Sequence, residues 1–280
     1  MRLEFVDLYE HFRLPGPEGC AGKLHCYLQQ THPGISEERR NPAILILPGG
    51  AYRYTSSREA EPVALRFFAR GYSAFVLEYS CAPCAFPTAL REAVLAMRYL
   101  RSRASEFHIL PDKIAAIGFS AGGHLCGMLG TMYDCAEVSD LVQGTQARPD
   151  GLVLCYPVAV SHGRTHDESF ENISGGIPAL KKRLSLDALV RRDMPPVFLW
   201  HTRDDPSVPV RNSLVLSAAL EEKDVPFSMH IYAHGPHGLS TADAAVYPVD
   251  AVPPMSRDVP GWVEASADFL AEYGFCMTDG

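Results

Sequence analysis

A serine between two glycines is the first feature of the chain that could carry out chemistry. Residues 118–122 read Gly-Phe-Ser-Ala-Gly, which matches the G-x-S-x-G pattern of a nucleophilic serine. An apolar run at 113–117 precedes the pattern and a segment of helical character follows it, so Ser120 lies at a predicted strand-to-helix turn. Small neighbours permit the sharp turn that presents Ser120 Oγ to a substrate. A helix-capping serine is the alternative, and the flanking strand and helix favour the nucleophile.

A serine hydroxyl is a weak nucleophile and needs an imidazole that accepts its proton. The predicted strand 227–232 leads into a loop that contains His234, Gly235, His237 and Gly238. A histidine in a glycine-containing loop after a strand is typical of a general base. We therefore predict that His237 is the base, with His234 as the alternative because it lies close by in the chain.

The imidazole in turn needs a carboxylate that orients it and stabilises its charged form. The predicted strand 197–201 is followed by Asp204 and Asp205, and this order of serine, acid and histidine suits a nucleophile on a strand-to-helix turn. Asp205 begins an Asp-x-x-Val-Pro sequence typical of an acid loop, whereas Asp204 is better placed to cap the turn. We predict Asp205 as the acid and keep Asp204 as the alternative.

Attack on a carbonyl group produces an oxyanion, which backbone N–H groups can stabilise. The N–H of Ala121 is the first candidate donor. Residues 48–50, Pro-Gly-Gly, follow an earlier apolar run, and small residues there allow the backbone to approach the oxyanion closely. Gly50 and Ala51 are therefore the second set of candidate N–H donors. Tyr52 and Tyr54 follow directly and are candidates for the wall of a substrate pocket, with ordinary loop packing as the alternative.

The order of predicted elements supplies the framework for these residues. Apolar runs alternate with segments of helical periodicity, which indicates right-handed crossovers and a mainly parallel sheet with helices on both faces, an α/β three-layer sandwich. The predicted strands are 43–47, 73–77, 113–117, 151–156, 197–201 and 227–232, and the predicted helices are 61–70, 88–104, 121–132, 211–222 and 262–272. Trp200 lies in a strand and is expected in the core.

Residues 160–195 interrupt this alternation. They are rich in Gly, Ser and charge, and 180–190 has helical character, so we expect a small cap insertion over the carboxyl edge of the sheet. It could form a lid or a pocket wall, or be a structural excursion. Its polar residues His162, His166, Asp167 and Glu168 lack a metal-binding spacing, so no metal site is predicted.

The composition sets limits on the class of protein. The 280 residues carry a formal net charge of −8, with 47% hydrophobic and 21% charged side chains. This is enough apolar material for a buried sheet, and we expect one domain over residues 1–280. The basic clusters are short, so nucleic-acid binding is not expected. No export leader or apolar run of about 18 residues is evident, so we expect a cytoplasmic protein without membrane association.

The eight cysteines fit a reducing compartment. Several of them, such as Cys155, lie inside apolar runs and are typical of small buried side chains. Cys81 and Cys84 have C-x-x-C spacing, but there is no second such pair, so a loop is predicted rather than a redox or zinc site.

The motifs together resemble a known family. The loop at 48–52, the GFSAGGH segment at 118–124 and the later acid and histidine loops are similar to the acetyl-esterase branch of the α/β hydrolases. That branch includes xylanase-associated acetyl esterases and hormone-sensitive-lipase-like carboxylesterases, and the resemblance covers most of residues 40–275. Shorter segments that share it are 57–59, 82–83, 86–87 and 111–112.

The resemblance implies a serine carboxylesterase that removes acetyl groups from sugars or other small esters, with no metal or cofactor. Two departures concern the substrate. Ala51 stands where the family commonly has a third glycine, and Pro48 stands where lipase-like relatives have histidine. The alternatives are an amidase, arylformamidase or peptidase on the same fold, and a noncatalytic ligand-binding relative. The oligomeric state is left open.

Overall fold

A computed structural model describes residues 1–31, 34, 36, 38–142 and 147–279. Its strands are β1 (Arg2–Asp7), β2 (Lys23–Leu28), β3 (Arg39–Leu47), β4 (Ser73–Glu78), β5 (Ile109–Phe119), β6 (Gly151–Cys155), β7 (Val197–Thr202), β8 (Phe227–Tyr232) and β9 (Thr278–Asp279). Its α-helices are α1 (Leu8–Phe12), α2 (Glu61–Phe68), α3 (Thr88–Ser102), α4 (Ala121–Met132), α5 (Asp167–Ser174), α6 (Pro178–Arg183), α7 (Leu186–Leu189), α8 (Arg211–Glu222) and α9 (Trp262–Glu272).

The strands form a sheet in the order β1-β2-β4-β3-β5-β6-β7-β8, with β9 paired to the start of β3. The strands from β4 to β8 in this order run parallel, whereas β1 and β2 are antiparallel to their neighbours. The predicted mainly parallel α/β sheet is confirmed. The antiparallel strands at the amino terminus were not predicted, because β1 is an edge strand whose Leu3 and Phe5 are exposed.

Apolar side chains pack on both faces of the sheet. In β3, Leu45 and Leu47 belong to the core beneath α3, α4 and α8, whereas Ile44 and Ile46 belong to the core beneath α2 and α9. Because side chains alternate across a strand, a strand buried on both faces is apolar at every position. Trp200 is fully buried, as predicted, and stacks on Trp262 with ring centroids 5.4 Å apart.

The 160–195 segment lies between β6 and β7 and contains α5, α6 and α7. The single helical stretch predicted over 180–190 is wrong, because the chain leaves the helix at Leu184 and Ser185. The carbonyl oxygen of Leu184 accepts a hydrogen bond from His124 at 2.7 Å, and Ser185 Oγ accepts one from the N–H of Ser161 at 2.8 Å. These tertiary contacts replace the continued helix. In the part of the chain described here, no helix combines the length and apolarity needed to cross a membrane.

Candidate active site

Ser120 stands at the turn between β5 and α4. Its backbone has φ 53° and ψ −118°, a strained conformation for a residue with a side chain, and this matches the sharp turn expected of a nucleophile. The hydroxyl lies above the carboxyl ends of the parallel strands, where open α/β sheets bind ligands. The local sequence therefore places a serine where a substrate can reach it.

The glycines on either side allow the turn to pack closely. A Cβ on Gly118 would overlap the carbonyl oxygen of Gly122, and a Cβ on Gly122 would overlap the carbonyl oxygens of Leu47 and Pro48. These obstacles are backbone atoms, so they cannot move aside by a side-chain rotation. The turn consequently packs directly against the end of β3.

Replacing Gly122 with alanine is expected to lower the free energy of unfolding by about 3 kcal/mol or more, because backbone must shift to admit the methyl group. Gly130→Ala in the same helix is the matched control. There the new Cβ meets only the end of the Leu152 side chain, 2.6 Å from Cδ1, so a loss below about 1 kcal/mol is expected. Urea unfolding of both variants measures the difference, and equal losses would contradict this account of the turn.

His237 connects Ser120 to Asp205. His237 Nε2 lies 2.8 Å from Ser120 Oγ, and His237 Nδ1 lies 2.6 Å from Asp205 Oδ2. Because a carboxylate only accepts, Nδ1 carries the proton and Nε2 is free to accept the serine hydroxyl. The structure thus brings together the three residues predicted from the sequence, in the geometry that activates a serine.

Asp205 is held as a carboxylate. Its Oδ1 accepts hydrogen bonds from the N–H groups of Ser207 at 2.8 Å and Val208 at 2.9 Å. Burial alone would raise the pKa of Asp205, but hydrogen bonds from the His201 and His237 side chains and the Val208 N–H outweigh burial and lower it. Asp205 therefore stays ionised at neutral pH, where it can stabilise a charged His237.

Asp204 and His234 form a separate pair. His234 Nδ1 lies 2.9 Å from Asp204 Oδ2, and Asp204 Oδ1 accepts the N–H of Gly235 at 2.8 Å. Both side chains are largely exposed. The geometry favours Asp205 and His237 over these two alternatives, because His237, which is bonded to Asp205, contacts Ser120.

The three candidate oxyanion donors lie around Ser120. Gly50 and Ala51 line the cavity that contains Ser120 and His237. Ala121 is the first residue of α4, and the N–H groups of a helix's first turn have no partner within the helix. A developing negative charge on a substrate oxygen beside Ser120 would therefore meet the Ala121 N–H and the positive end of the α4 dipole.

The cavity above Ser120 has a volume of about 280 Å³. Its wall is mostly polar, with Arg53, Arg58, Glu59, His166, Glu168 and Ser207 among its residues. Tyr54 also lines it, and its ring lies 5.8 Å from the Arg53 guanidinium carbon. A larger, more apolar cavity of about 680 Å³ lies beside α2, and neither Ser120 nor His237 lines it.

Contrary to expectation, Tyr52 does not line the cavity. Its side chain is buried, with 1% exposed, and its hydroxyl lies 2.9 Å from His124 Nδ1. The reason is backbone conformation: φ is 55° at Tyr52, which turns the side chain towards α4. Spacing in the sequence does not disclose such a turn.

The polar residues of the 160–195 segment contact protein groups. His162 faces Asp187, His166 Nδ1 lies 2.9 Å from Ser169 Oγ, Asp167 pairs with Lys181, and Glu168 pairs with Arg53. Across the described ranges, no group of three or more His, Cys, Asp or Glu side chains is arranged to hold a metal ion. Cys81 and Cys84 lie in a turn, in which the Cys84 N–H donates to the Cys81 carbonyl oxygen at 2.9 Å.

Sequence reasoning did not identify the buried acid Glu59. Its carboxylate accepts the Gly49 N–H at 2.8 Å and the Tyr156 hydroxyl at 2.7 Å, and the Tyr156 ring lies 5.1 Å from the His237 ring. Burial raises the pKa of Glu59, although these two hydrogen bonds oppose the shift. Glu59 thus joins the 48–52 loop to the histidine loop. Residues 57–59 shared the family resemblance, but that segment gave Glu59 no role, because its partner Tyr156 lies 97 residues away in the chain.

His124, four residues after Ser120, was also not identified. Its Nε2 contacts the Leu184 carbonyl oxygen, so Nε2 carries the proton and Nδ1 accepts the Tyr52 hydroxyl. Complete burial lowers the pKa of His124 to about 4. His124 is therefore neutral at physiological pH.

The low pKa of His124 predicts a loss of stability in acid. The unfolded chain binds a proton at this residue below about pH 6.5, whereas the folded chain does so only near pH 4, so stability is full above pH 6.5 and falls as the pH is lowered. Between pH 7 and 4.5, wild type should lose about 2 to 3 kcal/mol more unfolding free energy than His124→Asn. Urea unfolding at both pH values measures this difference, and equal losses would mean that His124 is charged in the folded protein.

Solved structures resemble this chain over almost its whole length. A crystal structure of an acetyl ester-xyloside bifunctional hydrolase from Caldicellulosiruptor lactoaceticus has 33% identity and a TM-score of 0.80, covering 98% of this chain and 97% of that one. An α/β hydrolase enzyme from a Medee basin deep-sea metagenome has 34% identity and a TM-score of 0.77, covering 97% of each chain. The chain belongs to the α/β-hydrolase family. The resemblance to its acetyl-esterase-like branch is confirmed.

Family models and curated relatives agree with this assignment. The BD-FAE model matches residues 31–152, and the prolyl oligopeptidase family model matches residues 164–252. Endo-1,4-beta-xylanase B of Butyrivibrio fibrisolvens is 35% identical over 219 residues, covering 74% of this α/β hydrolase and 34% of the relative. Acetylxylan esterase of Xylanibacter ruminicola is 28% identical over 224 residues, covering 77% and 43%. The chain therefore spans less than half of either relative's length.

Proposed function

We propose that this α/β hydrolase is a serine carboxylesterase that removes short acyl groups, chiefly acetyl, from sugars such as xylo-oligosaccharides. The observation that carries the proposal is the unbroken hydrogen-bond chain from Ser120 through His237 to the buried Asp205. Such a chain converts a weak hydroxyl into a nucleophile. The polar cavity beside it supplies the room for a small ester.

The reaction proceeds in two acyl-transfer steps. Ser120 Oγ attacks the ester carbonyl carbon while His237 Nε2 accepts the serine proton, and the same proton then passes to the departing alcohol. This leaves an acyl-enzyme and a neutral His237. A water molecule gives its proton to His237 and attacks the acyl-enzyme, and the proton returns to Ser120 as the acid product leaves. Asp205 keeps His237 in the required tautomer throughout.

The tetrahedral intermediate of each step carries a negative oxygen. The N–H groups of Ala121, Gly50 and Ala51 are the proposed donors to this oxygen, and one such donor is commonly worth about 3 kcal/mol of transition-state stabilisation. The chemistry is complete with protein groups and water. No metal or organic cofactor is assigned a step.

The wall of the cavity supports a small, polar substrate. Arg53, Arg58, His166 and Glu168 offer several hydrogen-bonding groups around Ser120, which suits the hydroxyl groups of a sugar. A volume of about 280 Å³ suits a short acyl group better than a long apolar chain. Two similar proteins are named as an acetyl ester-xyloside hydrolase and an acetylxylan esterase.

Peptide or amide hydrolysis is the second candidate. The prolyl oligopeptidase family model covers residues 164–252, which include both Asp205 and His237. The Ser-His-Asp arrangement serves esters and amides alike, because both react through a tetrahedral intermediate. The groups around the leaving atom decide between them. A noncatalytic, ligand-binding relative is a weaker alternative, since all three residues are present and in contact.

A substrate panel tests the proposal. Initial rates are measured on p-nitrophenyl acetate, butyrate and octanoate, on an acetylated xylo-oligosaccharide, and on p-nitroacetanilide and a prolyl p-nitroanilide as amides. We expect acetate to be the fastest p-nitrophenyl ester and the xylo-oligosaccharide to release acetate. Enzyme inactivated with one equivalent of an alkyl fluorophosphonate is the control for each substrate. Faster turnover of an amide would favour the second candidate, and no turnover of any ester would overturn the esterase.

We also propose a small-molecule ester as the partner and a cytoplasmic location for the chain. The location is supported by its cysteines, all eight of which are free, with Cys26, Cys126 and Cys155 buried. The single domain over residues 1–280 stays a prediction.

A further inference from the structure

The 48–52 loop adopts an unfavourable backbone conformation beside Ser120. Gly50, Ala51 and Tyr52 have φ values of 130°, 57° and 55°. Glycine accepts positive φ readily, but a Cβ disfavours the left-handed region, so Ala51 and Tyr52 adopt it against their intrinsic preference. Contacts from other parts of the chain must therefore hold this loop.

One of these contacts is a buried hydrogen-bond relay. The Tyr52 hydroxyl donates to His124 Nδ1 at 2.9 Å, and His124 Nε2–H donates to the Leu184 carbonyl oxygen at 2.7 Å. Tyr52 belongs to the loop, His124 to α4, which follows Ser120, and Leu184 to the 160–195 segment. Both side chains are almost completely buried, so water cannot replace either bond.

A second contact reaches the same loop from α5. Asn172 Nδ2 donates to the Ala51 carbonyl oxygen at 2.8 Å, and Phe170, two residues earlier, packs edge-on against the His124 ring at 5.1 Å between centroids. A hydrogen bond on the Ala51 carbonyl restrains the peptide group that follows Ala51. The 160–195 segment thus bonds to the loop directly at Ala51, and it reaches Tyr52 through His124.

We propose that the 160–195 segment acts as a brace that keeps the Gly50 and Ala51 N–H groups aimed at the substrate oxygen. Tyr52, His124 and Asn172 are its positioning residues, because they act through the loop backbone rather than on the substrate. This inference rests on the proposed function, since it assigns the loop to oxyanion stabilisation. It gives the segment a role in turnover as well as in forming the cavity wall.

Tyr52→Phe is the first test, because it removes only the hydroxyl of a buried ring. We expect kcat on p-nitrophenyl acetate to fall about 10-fold or more with KM within about two-fold, since misplaced donors weaken transition-state binding more than ground-state binding. Phosphonylation of Ser120 by an alkyl fluorophosphonate should slow by the same factor, because that reaction also develops charge on an oxygen beside the loop. Asn172→Ala should show the same pattern.

Tyr72→Phe is the matched control. Like Tyr52, Tyr72 is a buried tyrosine, and its hydroxyl donates to the Phe275 carbonyl oxygen at 3.4 Å. Tyr72 immediately precedes β4, at the amino ends of the parallel strands, whereas Ser120 follows the carboxyl end of β5. Tyr72→Phe is expected to lower Tm without changing kcat or the phosphonylation rate. The comparison separates positioning from a general loss of stability.

The outcomes distinguish the two proposals. If Tyr52→Phe and Asn172→Ala lower Tm but keep the wild-type kcat and phosphonylation rate, the brace is overturned. If wild type hydrolyses no ester but its Ser120 is phosphonylated and the variants slow that reaction, the esterase fails and the brace stands. If neither variant slows ester hydrolysis or the phosphonylation of Ser120, the segment has no positioning role and only forms part of the cavity wall.

Discussion

Ser120→Ala is expected to lower kcat on p-nitrophenyl acetate by roughly 10⁵- to 10⁶-fold, the range seen when the nucleophile of a serine hydrolase is removed. The expectation follows from the bond that Ser120 must form with the acyl carbon, for which His237-activated water is a poor substitute. Initial rates with purified variant and wild type measure the effect. Labelling by an alkyl fluorophosphonate, detected as a mass increase of the intact protein, should disappear in parallel.

The fold of the Ser120→Ala protein should be unchanged. Alanine retains the Cβ, so the backbone at φ 53° is no more strained than with serine, and Tm should stay within a few degrees of wild type. Ser139→Ala is the control, because the Ser139 hydroxyl is exposed and bonds only locally, to the Ala136 carbonyl oxygen at 2.8 Å. It should retain wild-type kcat. A Ser120→Ala protein with more than about one hundredth of wild-type activity would contradict the nucleophile assignment.

Asp205→Asn is expected to lower kcat by about 10³- to 10⁴-fold. The asparagine oxygen can still accept the Ser207 and Val208 N–H groups, which leaves its NH₂ group facing His237 Nδ1. That arrangement favours the tautomer in which Nε2 carries the proton. Such an imidazole cannot accept the proton of Ser120, so the nucleophile is not activated. Rates on p-nitrophenyl acetate near pH 7.5 measure the loss.

Asp204→Asn is the matched control for the neighbouring position. Its oxygen can still accept the Gly235 N–H, and the exposed contact with His234 involves neither Ser120 nor His237, so kcat should change less than about three-fold. A strongly downfield proton NMR signal from His237 Nδ1–H should persist in Asp204→Asn and vanish in Asp205→Asn. The reverse pattern of activities would assign the acid to Asp204 instead.

The 160–195 segment contacts both the cavity and the 48–52 loop, so it can affect substrate preference and turnover together. The 160–195 segment contributes His166 and Glu168 to the cavity wall and, through Asn172, contacts the loop that carries Ala51. Changes in this segment should therefore alter leaving-group preference and turnover together. In an α/β hydrolase, where the triad alone does not select the substrate, this segment is the place to search for the determinants of substrate preference.

The sequence alone determined the fold class, the candidate nucleophile Ser120 and the two loops that carry the candidate acid and base. Short apolar runs alternating with helical periodicity predicted the parallel sheet, because buried strands and amphipathic helices have different local patterns. Ser120 could be recognised as a candidate nucleophile because the sharp strand-to-helix turn requires glycine at positions 118 and 122, and these glycines are visible in the sequence. The acid and histidine loops were found because each follows a predicted strand, although two candidates in each loop remained.

The tertiary structure decided what depends on contacts between distant residues. It favours Asp205 and His237 as the candidate acid and base, because only the folded chain shows which of two nearby side chains in each loop points towards Ser120. It showed that Tyr52 forms a buried hydrogen bond with His124 instead of lining the cavity. The cause is a positive φ at Tyr52, which no local sequence pattern predicts. It also revealed the contacts of Glu59 and those on which the proposed brace rests, because hydrogen bonds that span from 60 to 121 residues, such as His124 to Leu184 and Asn172 to Ala51, exist only after the chain has folded.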